Sequence, residues 1–134
     1  MATEFRFRLE TVQRLREQEL DARRRELADA TTQAVAVRRR IEALAETAQA
    51  NVGQIQEAQS QSARLDVSRL RMHYVHQGYL ARKLIDAELD QAKRNKEMEM
   101  RRARVQEANA KLKAIEKLHE RQKARFAESV RRAE

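Results

Sequence analysis

Proline, cysteine and tryptophan are missing from all 134 residues, and glycine occurs only at positions 53 and 78. Each absence excludes something. Without proline, and with so little glycine, nothing forces a helix to stop. Without cysteine there are no disulfides, no zinc–thiolate sites and no thiol chemistry, which suits a reducing cytoplasm. Aromatic residues make up 4% of the chain, too few bulky side chains for a globular core. No apolar run approaches the roughly 18 residues needed to span a bilayer. The opening MATEFRFRLE holds no signal-peptide core. The expectation is a soluble, unexported, cytoplasmic protein.

What is present is charge and periodicity. Charged residues make up 37% of the chain, and an apolar residue returns every three or four positions from Leu9 almost to Val130. The net charge of +8 is uneven: residues 1–66 hold 11 Lys and Arg against 11 Asp and Glu, and residues 67–134 hold 18 against 10. A heptad seam runs through Leu20, Arg23, Leu27, Ala30, Ala34, Val37, Ile41, Leu44, Ala48 and Ile55, in steps of three and four until a last step of seven. A second runs through Leu80, Leu84, Ala87, Gln91, Arg94, Met98, Arg101, Val105, Ala108, Leu112, Ile115, His119, Gln122 and Phe126. Opposite charges four apart, among them Glu10 with Arg14, Glu19 with Arg23, Asp90 with Arg94 and Glu128 with Arg132, support exposed helix.

Two seams in one chain predict that each covers the other. A reversal at Gly53 would leave Val105, Leu112, Ile115 and Phe126 unpartnered, whereas one around residues 61–66 sets Phe5 near residues 122–126 and pairs both seams. The fold class expected is therefore all-α: a long two-helix antiparallel coiled-coil hairpin forming one domain over residues 1–134. Helix one would run over about residues 4–60, the turn over 61–66 and helix two over 67–133, with Asp66 or Ser68 as the cap. Each helix would be roughly 80 to 100 Å long at about 1.5 Å per residue.

The residues offer little chemistry. His73 and His76 lie three apart, but no cysteine exists and His119 is remote, so no metal or other cofactor is expected. The carboxylates are spread along exposed helix with no cleft to shift a pKa, and there is no phosphate-binding glycine loop. The expected protein is not an enzyme. Arg23-Arg24-Arg25, Arg38-Arg39-Arg40, Lys93-Arg94 and Arg101-Arg102 raise a nucleic-acid reading, although intervening acids and scarce aromatics fit an acidic protein partner equally. Residues 41–63 have no Lys or Arg, and opposite them run Leu70, Tyr74, Tyr79, Leu80 and Leu84, which fit either seam packing or a docking surface.

The opening Phe5-Arg6-Phe7-Arg8-Leu9-Glu10-Thr11-Val12-Gln13-Arg14-Leu15-Arg16, with Glu19 following, resembles the start of the FliJ family of bacterial flagellar export proteins. Glu116-Lys117-Leu118-His119-Glu120-Arg121-Gln122-Lys123, followed by Phe126, is similar to that family's final helix. The resemblance covers essentially the whole chain. It implies an antiparallel coiled coil similar to the central stalk of rotary ATPases. It also implies three partners in flagellar type III export: the hexameric export ATPase, the FlhA export-gate protein and export chaperones. The protein would reach the cytoplasmic face of the inner membrane through those partners.

By the same resemblance the gate-binding positions are Arg40, Leu44, Thr47 and Asn51, with Leu80, Leu84 and Ala87 opposite; Thr47 and Asn51 stand where some members have aromatics. By analogy with the stalk, ATPase binding falls to Phe5, Phe7, Leu9, Arg16, Arg121 and Phe126. The alternatives are the equivalent stalk of a virulence-type injectisome, and a basic coiled coil binding nucleic acid or an anionic membrane. Only the last would weaken steeply with salt.

Overall fold

The computed structural model describes residues 4–60 and 66–134. Two α-helices account for nearly all of them: α1 over Glu10–Ser60 and α2 over Val67–Ala133, with no strand among the described residues. No described residue has a positive φ, as a chain without helix breakers should show. The fold class read from the sequence, two long helices packed against each other, is the one observed. The expected turn at 61–66 lies, except for Asp66, outside the described residues. Asp66 caps α2: its Oδ1 accepts from the Arg69 N–H at 3.2 Å, and its carbonyl accepts from Leu70 N–H at 3.0 Å.

The chain divides into two compact units. The first joins residues up to Asp29 with Glu99–Glu134. Its core is Leu20 against Ala108 and Leu112, with Val105 packed alongside. Arg101 donates to the Glu26 carbonyl at 2.7 Å, so a charged seam position points its head at helix backbone while its stem fills space. Helix α1 starts at Glu10, later than the residue 4 expected. The Glu10 N–H bonds the Phe7 carbonyl at 3.2 Å, closing a turn, and the side chains of Phe5 and Phe7 lie on His119 of α2 instead of continuing a helix.

The second unit comprises Ala30–Met98. Ala30, Ala34, Val37 and Ile55 of α1 are buried, as are Leu80 and Ala87 of α2. A buried Leu has three more carbons than Ala, each worth roughly 0.8 kcal/mol, so this alanine-rich seam gains modestly per layer. The seven-residue step in the α1 pattern, from Ala48 to Ile55, is filled by Asn51, only 3% exposed. Its amide nitrogen donates to the His73 carbonyl and to Gln77 Oε1, each at 2.8 Å, and its Oδ1 lies 3.2 Å from His73 Nδ1. The polar middle of the α2 seam is bonded likewise: Arg94 donates to Gln33 Oε1 and pairs with Asp90 at 3.4 Å, while Arg40 reaches Asp90 at 3.1 Å. Among the described residues no buried side-chain nitrogen or oxygen lacks a partner.

Within each unit every position assigned to a seam from the sequence is buried or half-buried. The charge pairs agree in part. Glu10 with Arg14, Asp90 with Arg94, Glu107 with Lys111 and Glu128 with Arg132 form four apart. Glu19 instead takes Arg16 at 3.0 Å, and Arg23 takes Glu26 at 3.1 Å, both three apart.

Candidate functional site

The residues expected to engage an ATPase all belong to the first unit, where an aromatic cluster joins the segment before α1 to α2. Phe7 and His119 stack with ring centroids 4.4 Å apart and planes 2° from parallel. Phe5 stacks on the same imidazole at 5.5 Å and lies 5.7 Å from Phe126. His119 Nδ1 is 3.0 Å from Gln13 Oε1, which ties the ring to α1 as well. Phe7 is buried, whereas Phe5, Leu9 and Phe126 are half-buried and Arg121 is exposed. Within the cluster Phe7 is the internal anchor, and Phe5 and Phe126 keep part of their surface exposed. The antiparallel register sets Phe5 near residues 122–126, and Phe126 is its neighbour; the stacking of Phe5 and Phe7 on His119 was not legible in the sequence, because their segment does not continue the helix.

Arg16 is spoken for by Glu19. That hydrogen bond, reinforced by the Arg16 charge, holds the half-buried Glu19 carboxyl below its ordinary value, with burial opposing and Lys111 and Arg23 assisting. Beside it Glu19, Arg23, Arg104, Glu107 and Lys111 line a small charged cleft over Ala108. Its opposite charges largely compensate one another.

The residues expected to face the gate all belong to the second unit. The structure divides them. Asn51, Leu80 and Ala87 are buried between the helices, at 3%, 3% and 1% exposure. Leu44 and Leu84 are half-buried, and Arg40 and Thr47 are exposed. Thr47 returns its hydroxyl to the Ala43 carbonyl at 2.9 Å, the back-bond of a helical threonine. Asn51 is a packing residue because its seven-residue neighbourhood leaves it facing α2.

His73 and His76 do not converge. His73 turns inward to Asn51, while His76 is exposed and stacks with Tyr79 at 6.2 Å. Among the described residues no group of three or more His, Cys, Asp or Glu side chains gathers, and no helix is long and apolar enough to cross a membrane. Of the two tyrosines, Tyr74 accepts from the Gln59 amide at 2.9 Å and Tyr79 receives the Lys83 ammonium 5.5 Å from its ring centre.

The family model described as Flagellar FliJ protein matches residues 5–134, nearly the whole chain. No curated protein and no solved structure matches it.

Proposed function

The chain belongs to the FliJ family, which makes it a component of flagellar type III export, and within that role we propose that it is a non-enzymatic stalk and adaptor. In this reading it links the hexameric export ATPase to the FlhA export gate and handles export chaperones. It is cytoplasmic and sits at the inner face of the membrane through those partners. The match over residues 5–134 carries the reading, supported by two antiparallel helices that carry most of their charged residues on the outside.

The ATPase contact is assigned to the first unit, through Phe5, Leu9, Arg121 and Phe126, with Phe7 holding the cluster together and Arg16 acting through its pair with Glu19. The gate contact is assigned to the exposed neighbourhood of Arg40, Leu44, Thr47 and Leu84, with Asn51, Leu80 and Ala87 as the packed layer that supports it. Co-purification from cells tests both. The ATPase and FlhA should accompany the wild-type chain; Arg121→Glu combined with Phe126→Ala should lose the ATPase and keep FlhA, and Thr47→Arg should do the reverse. Recovery of both partners with both variants would refute the assignments, and recovery of neither with the wild type would refute the function.

A further inference from the structure

On α2 between Val67 and Ile85 lies a row of apolar side chains that nothing in its unit covers. Met72 is 72% exposed, Val75 65% and Tyr79 49%. Steps of three and four residues put them on one stripe, on the side of the helix away from the buried Leu80 and half-buried His73 and Leu84. With Ser68, Arg71 and His76 they line an open groove of about 560 Å³. At its end the Tyr79 ring lies 6.2 Å from the His76 imidazole and 5.5 Å from the Lys83 ammonium.

The charges along this stretch are mostly positive, with Asp66 and Asp86 just beyond its two ends. Residues 67–85 contain Arg69, Arg71, Arg82 and Lys83 and neither Asp nor Glu. None of the four cationic groups pairs with a carboxylate among the described residues, although such pairs are common elsewhere in the chain. A second copy docking through the same face would bring these cations together. The complement is an apolar ridge with carboxylates on its flanks.

We propose that the Met72–Val75–Tyr79 face of α2 is a docking site for an amphipathic helix of another protein whose apolar ridge is flanked by Asp or Glu. The inference rests on the adaptor reading above and adds a contact separate from those assigned to the ATPase and the gate. Side chains spaced three and four apart on the incoming helix enter between Met72 and Tyr79. The unbranched Met72 adapts to their shape, Tyr79 supplies rigid contact area, and Arg71 and Arg82 reach the flanking carboxylates.

The test is a fluorescence-anisotropy titration of the full chain with two synthetic helical peptides. One carries a leucine ridge flanked by glutamates; the other has lysine in place of each glutamate. The glutamate peptide should bind saturably, lose affinity with rising salt, and bind Val75→Asp and Arg71→Glu at least about tenfold more weakly. The lysine peptide should not bind. Both substitutions are at exposed positions, and unchanged helical circular dichroism will show that they leave the fold intact. Equal binding of the two peptides, unchanged affinity in Val75→Asp, or sedimentation of the chain with phosphatidylglycerol vesicles while the glutamate peptide fails to saturate would each overturn the proposal. Capture of the export ATPase by the same preparations separates the two readings. If the peptide result fails while the ATPase is captured, only the docking site is lost; if the peptide binds but no ATPase is captured, the adaptor role is lost.

Discussion

Phe7 lies flat against His119, rings 4.4 Å apart and 2° from parallel, and through that contact a segment outside any helix is held to α2. Phe7→Ala should lower stability by about 3 kcal/mol, the lower end for truncating a buried phenylalanine, because only one turn of chain depends on it. His119→Ala should remove the stacking of both Phe5 and Phe7 and free the segment ahead of Glu10. Urea unfolding measures the first effect and amide exchange at residues 7–13 the second. Protection at those amides that survives His119→Ala would show that the stack does not hold the segment.

Asn51 occupies a seam position that a leucine would fill with more buried area. Asn51→Leu should raise stability by about 1 kcal/mol while loosening the register between α1 and α2, since a lone buried amide satisfied across the seam specifies alignment at the expense of stability. Thermal unfolding reads the first effect. Spin-label distances between positions 56 and 71, inside the second unit, read the second. A lower melting temperature with an unchanged distance distribution would mean that the Asn51, His73 and Gln77 bonds are simply stabilising.

Gly53 and Gly78 both lie within helices without positive φ, and a Cβ at either would meet nothing within 4 Å. Gly53→Ala and Gly78→Ala should each stabilise by roughly 0.5 to 1 kcal/mol, through helix propensity and a less disordered unfolded chain. The two changes should add, and denaturant midpoints will show whether they do.

Acid should weaken the first unit partly through Glu19. Its carboxyl is held below the ordinary 4.5 chiefly by the Arg16 hydrogen bond. A depressed native pKa contributes stability that is fully present above the unfolded value and is lost as pH falls through the folded one. Glu19→Gln should therefore flatten the fall in urea midpoint as pH drops below about 5 relative to wild type, with little change near neutrality beyond the loss of the pair itself. Identical slopes in the two proteins would exclude Glu19 as a source of the acid sensitivity.

Arg40 and Asp90 are both partly exposed, 3.1 Å apart across the seam. A double-mutant cycle on Arg40→Ala and Asp90→Ala should give a coupling of about 0.2 to 1 kcal/mol that shrinks in high salt. A coupling that salt leaves unchanged would place the pair in a drier setting than its exposure implies.

The seam positions were readable because a heptad repeat makes burial a function of spacing alone: Leu20, Ala34, Leu80 and Leu112 face inward wherever the helices meet. The cap was readable to within two residues, Asp66 or Ser68, because capping is local chemistry, and the structure settles on Asp66. The partner of Glu19 was not, since Arg16 and Arg23 are equally placed on paper and rotamers decide between them. The candidate gate residues show the limit most clearly. The heptad count put Leu80 and Ala87 on the seam while the resemblance put them in a docking patch, and Asn51 fell in a gap of the seam count; the packed helices bury all three.

The sequence by itself determined that this protein is helical, where each helix presents its inner face, and that no thiol chemistry is available, because propensity, periodicity and composition act over a few residues and need no partner. Only the tertiary structure decided that α1 begins at Glu10, that Asn51 closes the gap in its own seam, and that Met72, Val75 and Tyr79 stay uncovered. Those outcomes depend on which side chains meet across the two helices, as Phe7 meets His119 and Asn51 meets His73 and Gln77. Spacing along one chain does not contain that information.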